Sequence, residues 1–100
     1  MTFKDLQELV LEWADDKGIL SSATPMTQFG KTQEEVYELA EAIVFELPEQ
    51  VEDAIGDIIV TLIIQAKMWD LDAEKCLESA YNVISKRTGK MVDGVFVKDE

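Results

Sequence analysis

The chain has 100 residues, 47% apolar and 30% charged, enough for one core and too few for two, so a single domain over 1–100 is expected. Acids outnumber bases by 21 to 9 and histidine is absent, giving a formal net charge of -12. Such a chain avoids bare phosphate backbones and anionic membranes unless bases cluster locally or metal ions intervene. Without histidine it has neither the usual Ser-His or Cys-His nucleophile pair nor a His-based zinc site, so any chemistry falls mainly to carboxylates.

The lone Cys76 rules out an intrachain disulfide framework and suits a reducing, cytoplasmic setting. The opening Met1-Thr2-Phe3-Lys4-Asp5 leads into acids rather than an apolar signal region. The most apolar stretch, 54–69, is interrupted by Asp57, Gln65 and Lys67 and is shorter than the ~20 residues of a membrane span, so it reads as a buried helix.

Four helical segments are predicted, in an all-α four-helix bundle. The first runs from about Thr2 to Lys17, with Thr2 and Asp5 at capping-box spacing, Phe3, Leu6, Val10 and Trp13 at helical intervals, and Gly18 as its stop. After the connection at 18–23, Thr24-Pro25 reads as an N-cap followed by proline at the first helical position. On the second helix Met26, Phe29, Val36, Ala40, Ile43 and Leu47 form the stripe expected to face the core. Pro48 heads a third helix to about Trp69 that is apolar on almost every side. Asp70-Leu71-Asp72 caps a fourth, with Ala73, Leu77, Ala80 and Ile84 as its buried stripe and Gly89 as its stop. In the tail, Asp93-Gly94 between Met91-Val92 and Val95-Phe96-Val97 predicts a short hairpin or packed extended segment.

Most acids suit helix ends and solvated faces. On the second helix, about 100° per residue places Gln28, Lys31, Glu35 and Glu38 within roughly one 80° sector, with Glu34 and Glu41 further round. From periodicity alone, a solvated acidic face with a Lys31–Glu35 pair explains that sector better than a binding site does. Asp57 is harder to place, because it falls inside the apolar run of the third helix beside Asp53 and is expected to be at least half buried. An unpartnered buried carboxylate costs several kcal/mol, so it must be protonated, paired or bound to a metal. If the two helices pack these faces together, Glu35, Glu38, Asp53 and Asp57 form a ring of hard oxygen ligands suited to Mg²⁺ or Mn²⁺. The alternative is a protonated or water-bridged Asp57 that specifies helix register.

The run Lys31-Thr32-Gln33-Glu34-Glu35-Val36-Tyr37-Glu38-Leu39-Ala40-Glu41-Ala42-Ile43, followed by Asp53-Ala54-Ile55-Gly56-Asp57-Ile58-Ile59-Val60, resembles the MazG-like all-α nucleoside triphosphate pyrophosphohydrolases. That family carries Glu-Glu-x-x-Glu on one helix and Glu-x-x-Asp on the next, and the likeness extends from Trp13 to the basic C-terminal end. The resemblance implies Mg²⁺-dependent cleavage of a nucleoside triphosphate between its α and β phosphates. It matches Glu35, Glu38 and Asp57 to metal ligands; Ala54 stands where the family usually has glutamate, and Asp53 is the nearest substitute. Glu34 is then the candidate to orient or deprotonate the attacking water. Lys31, Lys86, Arg87 and Lys90 are candidate phosphate contacts, although charge at a helix C-terminus accounts equally well for Lys86 and Arg87. Gln28 belongs to the lead-in of the motif, and Asn82 resembles an asparagine that the family places near substrate. Trp13, Phe29 and Trp69 are core residues or stacking surfaces for a base. The form Asp-Ala-Ile-Gly-Asp is similar to that of small single-domain phage members, which would place the chain in a host cytoplasm.

Four short helices do not cover a third helix that is apolar all round, so a homodimer or a dimer of dimers is expected, with no membrane or direct nucleic-acid partner. A different class of function also fits the charge: an acidic helical protein that mimics nucleic acid, or an adaptor, without catalysis. That reading needs acids spread over the surface, whereas the enzyme reading needs Glu35 and Asp57 buried together.

Overall fold

The computed structural model describes residues 1–100. Helix α1 (Phe3–Asp16) starts from a reciprocal cap: the Thr2 hydroxyl accepts from the Asp5 N–H at 3.1 Å, and the Asp5 carboxylate accepts from the Thr2 N–H at 3.0 Å. Gly18, at φ 77°, ends it and leads directly into a single-turn helix α2 (Ile19–Ser22) where the sequence suggests only a connection. Four residues are too few for a periodic signal. Helix α3 (Pro25–Val44) begins at the Thr24 cap with proline in its first turn, as expected. It stops before Leu47 because Glu46 turns left-handed at φ 53°, and the N–H groups of Glu46 and Leu47 donate back to the carbonyls of Ile43 and Ala42. Helix α4 (Pro48–Met68) ends in the same way through Asp70, at φ 57°, with Leu71 donating to Ala66. Helix α5 (Ala73–Ile84) is capped by Asp72.

Strands β1 (Gly89–Val92) and β2 (Val95–Lys98) form an antiparallel hairpin around Asp93-Gly94, both at positive φ as a two-residue turn of this hand requires. Gly89 is therefore not the helix stop; it opens β1, and the Phe96 ring lies over it where a Cβ would stand. The protein is thus mostly helical, with five helices and a small hairpin, where the sequence predicts four helices and a hairpin or packed extended tail.

Helices α3 and α4 make the most extensive contact and run antiparallel. Their contact is polar. The Gln28 amide donates to the Thr61 carbonyl at 3.2 Å, and the Thr32 hydroxyl donates to Thr61 Oγ1 at 2.9 Å. Thr61 Oγ1 donates in turn to the Ile58 carbonyl, and the Gln65 amide donates to the Pro25 carbonyl. The buried positions of α3 are Gln28, Glu35 and Ala42, seven residues apart, not the apolar stripe. Met26, Phe29, Val36, Ala40, Ile43 and Leu47 remain exposed, about a third of a turn away round the helix. On α5, Leu77, Ala80 and Ile84 are exposed too, and only Ala73 is partly covered. These stripes lack a cover because α1 and α5 lie against other sides of α4. Near the C-terminal end of α4, buried Gln7 of α1 accepts from the Glu74 N–H at 2.9 Å and ties α1 to the start of α5.

The Gln28 contact gives a test. Gln28→Ala removes a buried donor whose carbonyl partner lies in the helix contact, and should lower stability by about 1–3 kcal/mol in urea unfolding at fixed protein concentration. A second change acts on the backbone: Glu46→Gly relieves the left-handed residue and should raise stability by about 0.5–1 kcal/mol, read as a higher urea midpoint.

Candidate metal centre

The antiparallel α3–α4 pair places the side of α3 that bears Glu35 and Glu38 against the middle of α4. Carboxylate oxygens of Glu35, Glu38 and Asp57 all lie within 4.8 Å of one another. Burial in this trio falls on Glu35, which is 7% exposed, whereas Asp57 is exposed, contrary to the expectation that it is at least half buried. Asp57 sits on the flank of α4 between α3 and α1, and α1 covers that flank only partly.

Like charge held this close has visible consequences. The Glu38 carboxyl is pushed above its ordinary range, first by a hydrogen bond to Glu35 that is best made with a shared proton and then by the Glu35 charge. Lys31, one turn before Glu35, reaches Glu35 Oε1 at 3.4 Å and Glu34 at 3.6 Å. Its ammonium is held above its usual range by the hydrogen bond to Glu35 and by the charge of Glu34. The second oxygen of Glu35, Oε2, is buried without any hydrogen-bond partner. A buried orphan acceptor in a cluster of three carboxylates, with one lysine as the sole nearby base, is a donor set that a hard divalent cation satisfies.

Asp53 stands outside the mutual trio. It lines a depression of about 270 Å³ with Glu38, Glu41, Gln50, Ala54 and Asp57. Ala54, the position three before Asp57, is buried there, and the shorter Asp53 side chain approaches from one residue earlier. Glu41 and Gln50 are new to the site. Glu41, three residues after Glu38, is placed further round the helix by sequence spacing yet lines this depression; Gln50 enters only because α4 folds back antiparallel.

Other sequence-derived candidates distribute unevenly. Trp13 lines a groove of about 360 Å³ between α1 and α4 with Leu6, Leu9, Val10 and Val60, and Asp57 forms its border with the carboxylate cluster. Glu34 is exposed beside Lys31 and outside the trio. Gln28, expected on the same face as Lys31 and Glu38, is buried in the helix contact with its amide engaged by Thr61. Asn82, Lys86, Arg87 and Lys90 are exposed at the end of α5 and on β1. None of these four lines the acidic depression, and none of the three bases is within ion-pair distance of a carboxylate. Within one chain the structure does not bring them to the centre, because α5 packs on α1 and α4. Phe29 borders an apolar surface groove on α3 and Trp69 another between α1, α4 and α5, both away from the carboxylates.

This helical frame with paired acidic segments is that of a nucleotide pyrophosphohydrolase domain. The profile of the MazG nucleotide pyrophosphohydrolase domain matches residues 23–92, which contain all of α3, α4 and α5, and the chain belongs to that family. A relative from Haemophilus phage HP1 (strain HP1c1), described as an uncharacterized 18.2 kDa protein in the rep-hol intergenic region, is 36% identical over 72 residues. The match takes in 69% of this chain and 44% of that protein, so the chain spans under half the length of the relative. No solved structure matches. No helix is long and apolar enough to cross a membrane.

The raised Glu38 pKa makes the cluster a pH-dependent liability. Glu38 holds its proton more tightly folded than unfolded, so the ion-free protein keeps this contribution below the ordinary glutamate range and loses it as pH rises through the raised one. A cation that replaces the proton reverses the loss. Mn²⁺ or Mg²⁺ should therefore raise the thermal midpoint at about pH 7.5 and much less at about pH 4.5, where carboxylates bind protons instead. Equal midpoints with and without the ion at neutral pH would remove the cluster as a metal centre.

Proposed function

We propose that the chain hydrolyses ribo- or deoxyribonucleoside triphosphates to the monophosphate and pyrophosphate, dependent on Mg²⁺ or Mn²⁺, as a control on nucleotide pools. The observation that carries this reading is the convergence of Glu35, Glu38 and Asp57 from two helices inside the family-matched region. Those three would hold the ion, with Asp53 as a fourth oxygen donor at the edge of the depression. When bound, the ion supplies the positive charge that lets a polyanion approach a -12 chain and stabilises charge developing on the phosphates.

The side chains do the rest. Glu34, exposed next to the trio, accepts the proton of the attacking water or orients it. Lys31 exchanges its carboxylate partners for a phosphate oxygen, which it can reach because its own side chain is half exposed. Trp13 offers its ring as a stacking surface for a base in the groove that borders Asp57. Asn82, Lys86, Arg87 and Lys90 contribute only if a second copy presents them. Gln28 supports the site from behind, through Thr61, and its loss should appear in stability rather than in KM.

Self-association as a homodimer or a dimer of dimers is part of the proposal. It is supported by how little of the chain is covered: nine of 100 residues are buried, and five of those are hydrophobic. The phage relative supports a host cytoplasm as the setting. The acidic-mimic alternative is disfavoured by the burial of Glu35 with an unpartnered oxygen, since a mimic needs its acids on the outside.

Pyrophosphate release from a panel of nucleoside triphosphates with Mg²⁺ or Mn²⁺ tests the activity. Glu38→Gln and Asp57→Asn should each reduce metal-dependent turnover by at least a hundredfold while leaving the helical circular dichroism intact. Asp53→Asn should give a smaller loss, and a neutral result would remove it from the ligand set. No release from any substrate, together with no metal binding by calorimetry, would falsify the reading.

A further inference from the structure

The C-terminal hairpin makes no extensive contact with any helix of its own chain. All eight strand residues are exposed, although an isolated two-stranded hairpin is marginal in water. Its two faces differ. Met91 and Phe96 share one, where the Phe96 ring is engaged over Gly89. Val92, Val95 and Val97 share the other with Lys90, and that face is open.

A second apolar surface is equally uncovered. Phe3, Ile59, Leu62, Trp69, Leu71 and Leu77 line a groove of about 520 Å³ between α1, α4 and α5. Charge separates the two surfaces in the same sense. Residues 86–98 carry four of the nine bases against one acid, Asp93, whereas residues 1–84 carry 18 acids and five bases. The adjoining depression, which shares Leu71, Ala73 and Cys76 with the groove, carries Asp70 and Asp72 alongside Lys67 and Lys75, so the charge contrast is that of the helical body as a whole, at -13 over residues 1–84, against +3 over residues 86–98.

We propose that the valine face of the hairpin docks in this groove on a second copy of the chain. The groove needs apolar filling, the hairpin needs an apolar floor, and a basic segment meets a strongly acidic helical body. Return to its own groove is opposed by the backbone. The Ser85, Lys86 and Arg87 N–H groups donate to the carbonyls of Tyr81, Val83 and Ile84, which continues the turn of α5 and carries the chain away from the Leu77 end of the helix. The base of the hairpin is closed by Asp99 N–H to the Thr88 carbonyl at 2.9 Å and Thr88 Oγ1 to Asp99 at 2.8 Å, so it projects as one unit. The radius of gyration, 15.8 Å, exceeds the ~13 Å of a compact 100-residue domain, as a projecting arm requires.

This inference rests on the self-association already proposed and names the surfaces that make it. Cys76, exposed and on the groove wall, serves as the reporter. One protein carries Val92→Cys, Val95→Cys or Val97→Cys together with Cys76→Ser; the other keeps Cys76 as its single cysteine. On mixing and mild oxidation, at least one valine-face position should give a mixed disulfide between the two proteins, and Met91→Cys in the same background should give at least tenfold less. The proposal is overturned if no valine-face position forms the mixed disulfide, or if Met91→Cys forms it equally well. It is also overturned if Val95→Cys with Cys76 retained forms only an intrachain bridge. Sedimentation of the unaltered protein separates the two levels: an oligomer without the cross-link leaves self-association standing and removes these surfaces, whereas a monomer removes both.

Discussion

The contact between α3 and α4 is the constraint on which the rest of the structure depends. It carries the hydrogen bonds of Gln28, Thr32, Thr61 and Gln65, with the small buried residues Ala42 and Ala54 further along. Hydrogen bonds are directional in a way that apolar contacts are not, so they set the register of the two helices as well as their distance. Register is what the acidic cluster requires. A shift of one residue along α4 rotates Asp57 by about 100° away from Glu35 and Glu38.

A polar contact of this kind leaves the apolar stripes of α3 and α5 without a partner in the chain, which is why so few residues are buried. One flank of the helix pair gathers carboxylates, and others leave hydrophobic surface exposed. A 100-residue chain with few buried hydrophobics is marginal alone, and association is the ordinary way such chains gain the burial they lack.

The electrostatics follow the same geometry. A chain at -12 repels polyanions over most of its surface, yet the one place where it concentrates carboxylates most tightly is where that repulsion can be reversed. The raised Glu38 pKa, the Lys31 contacts and the orphan Glu35 oxygen are three expressions of one surplus of negative charge. A divalent cation would relieve each of them.

Helix boundaries were legible in the residues because caps and turns are local: Thr2 with Asp5, Thr24 with Pro25, Asp72, and Asp93 with Gly94 all act within a few positions. The paired acidic segments were legible too, since spacing by three and four residues fixes a helix face, and their resemblance to the MazG family agreed with the match over residues 23–92. Periodicity also marked the stripe through Met26, Phe29 and Val36 as apolar. It could not say which side of α3 would meet α4, because that choice is made by contacts between residues 29 to 40 positions apart, Thr32 with Thr61 and Gln65 with Pro25. The burial of Glu35 rather than Asp57, the entry of Gln50 and Ala54 into the acidic depression, and the separation of Lys86, Arg87 and Lys90 from it were decided only there. Local sequence determines what each helix face carries; the tertiary structure alone determines which faces meet, because helix register and partner are properties of the pair.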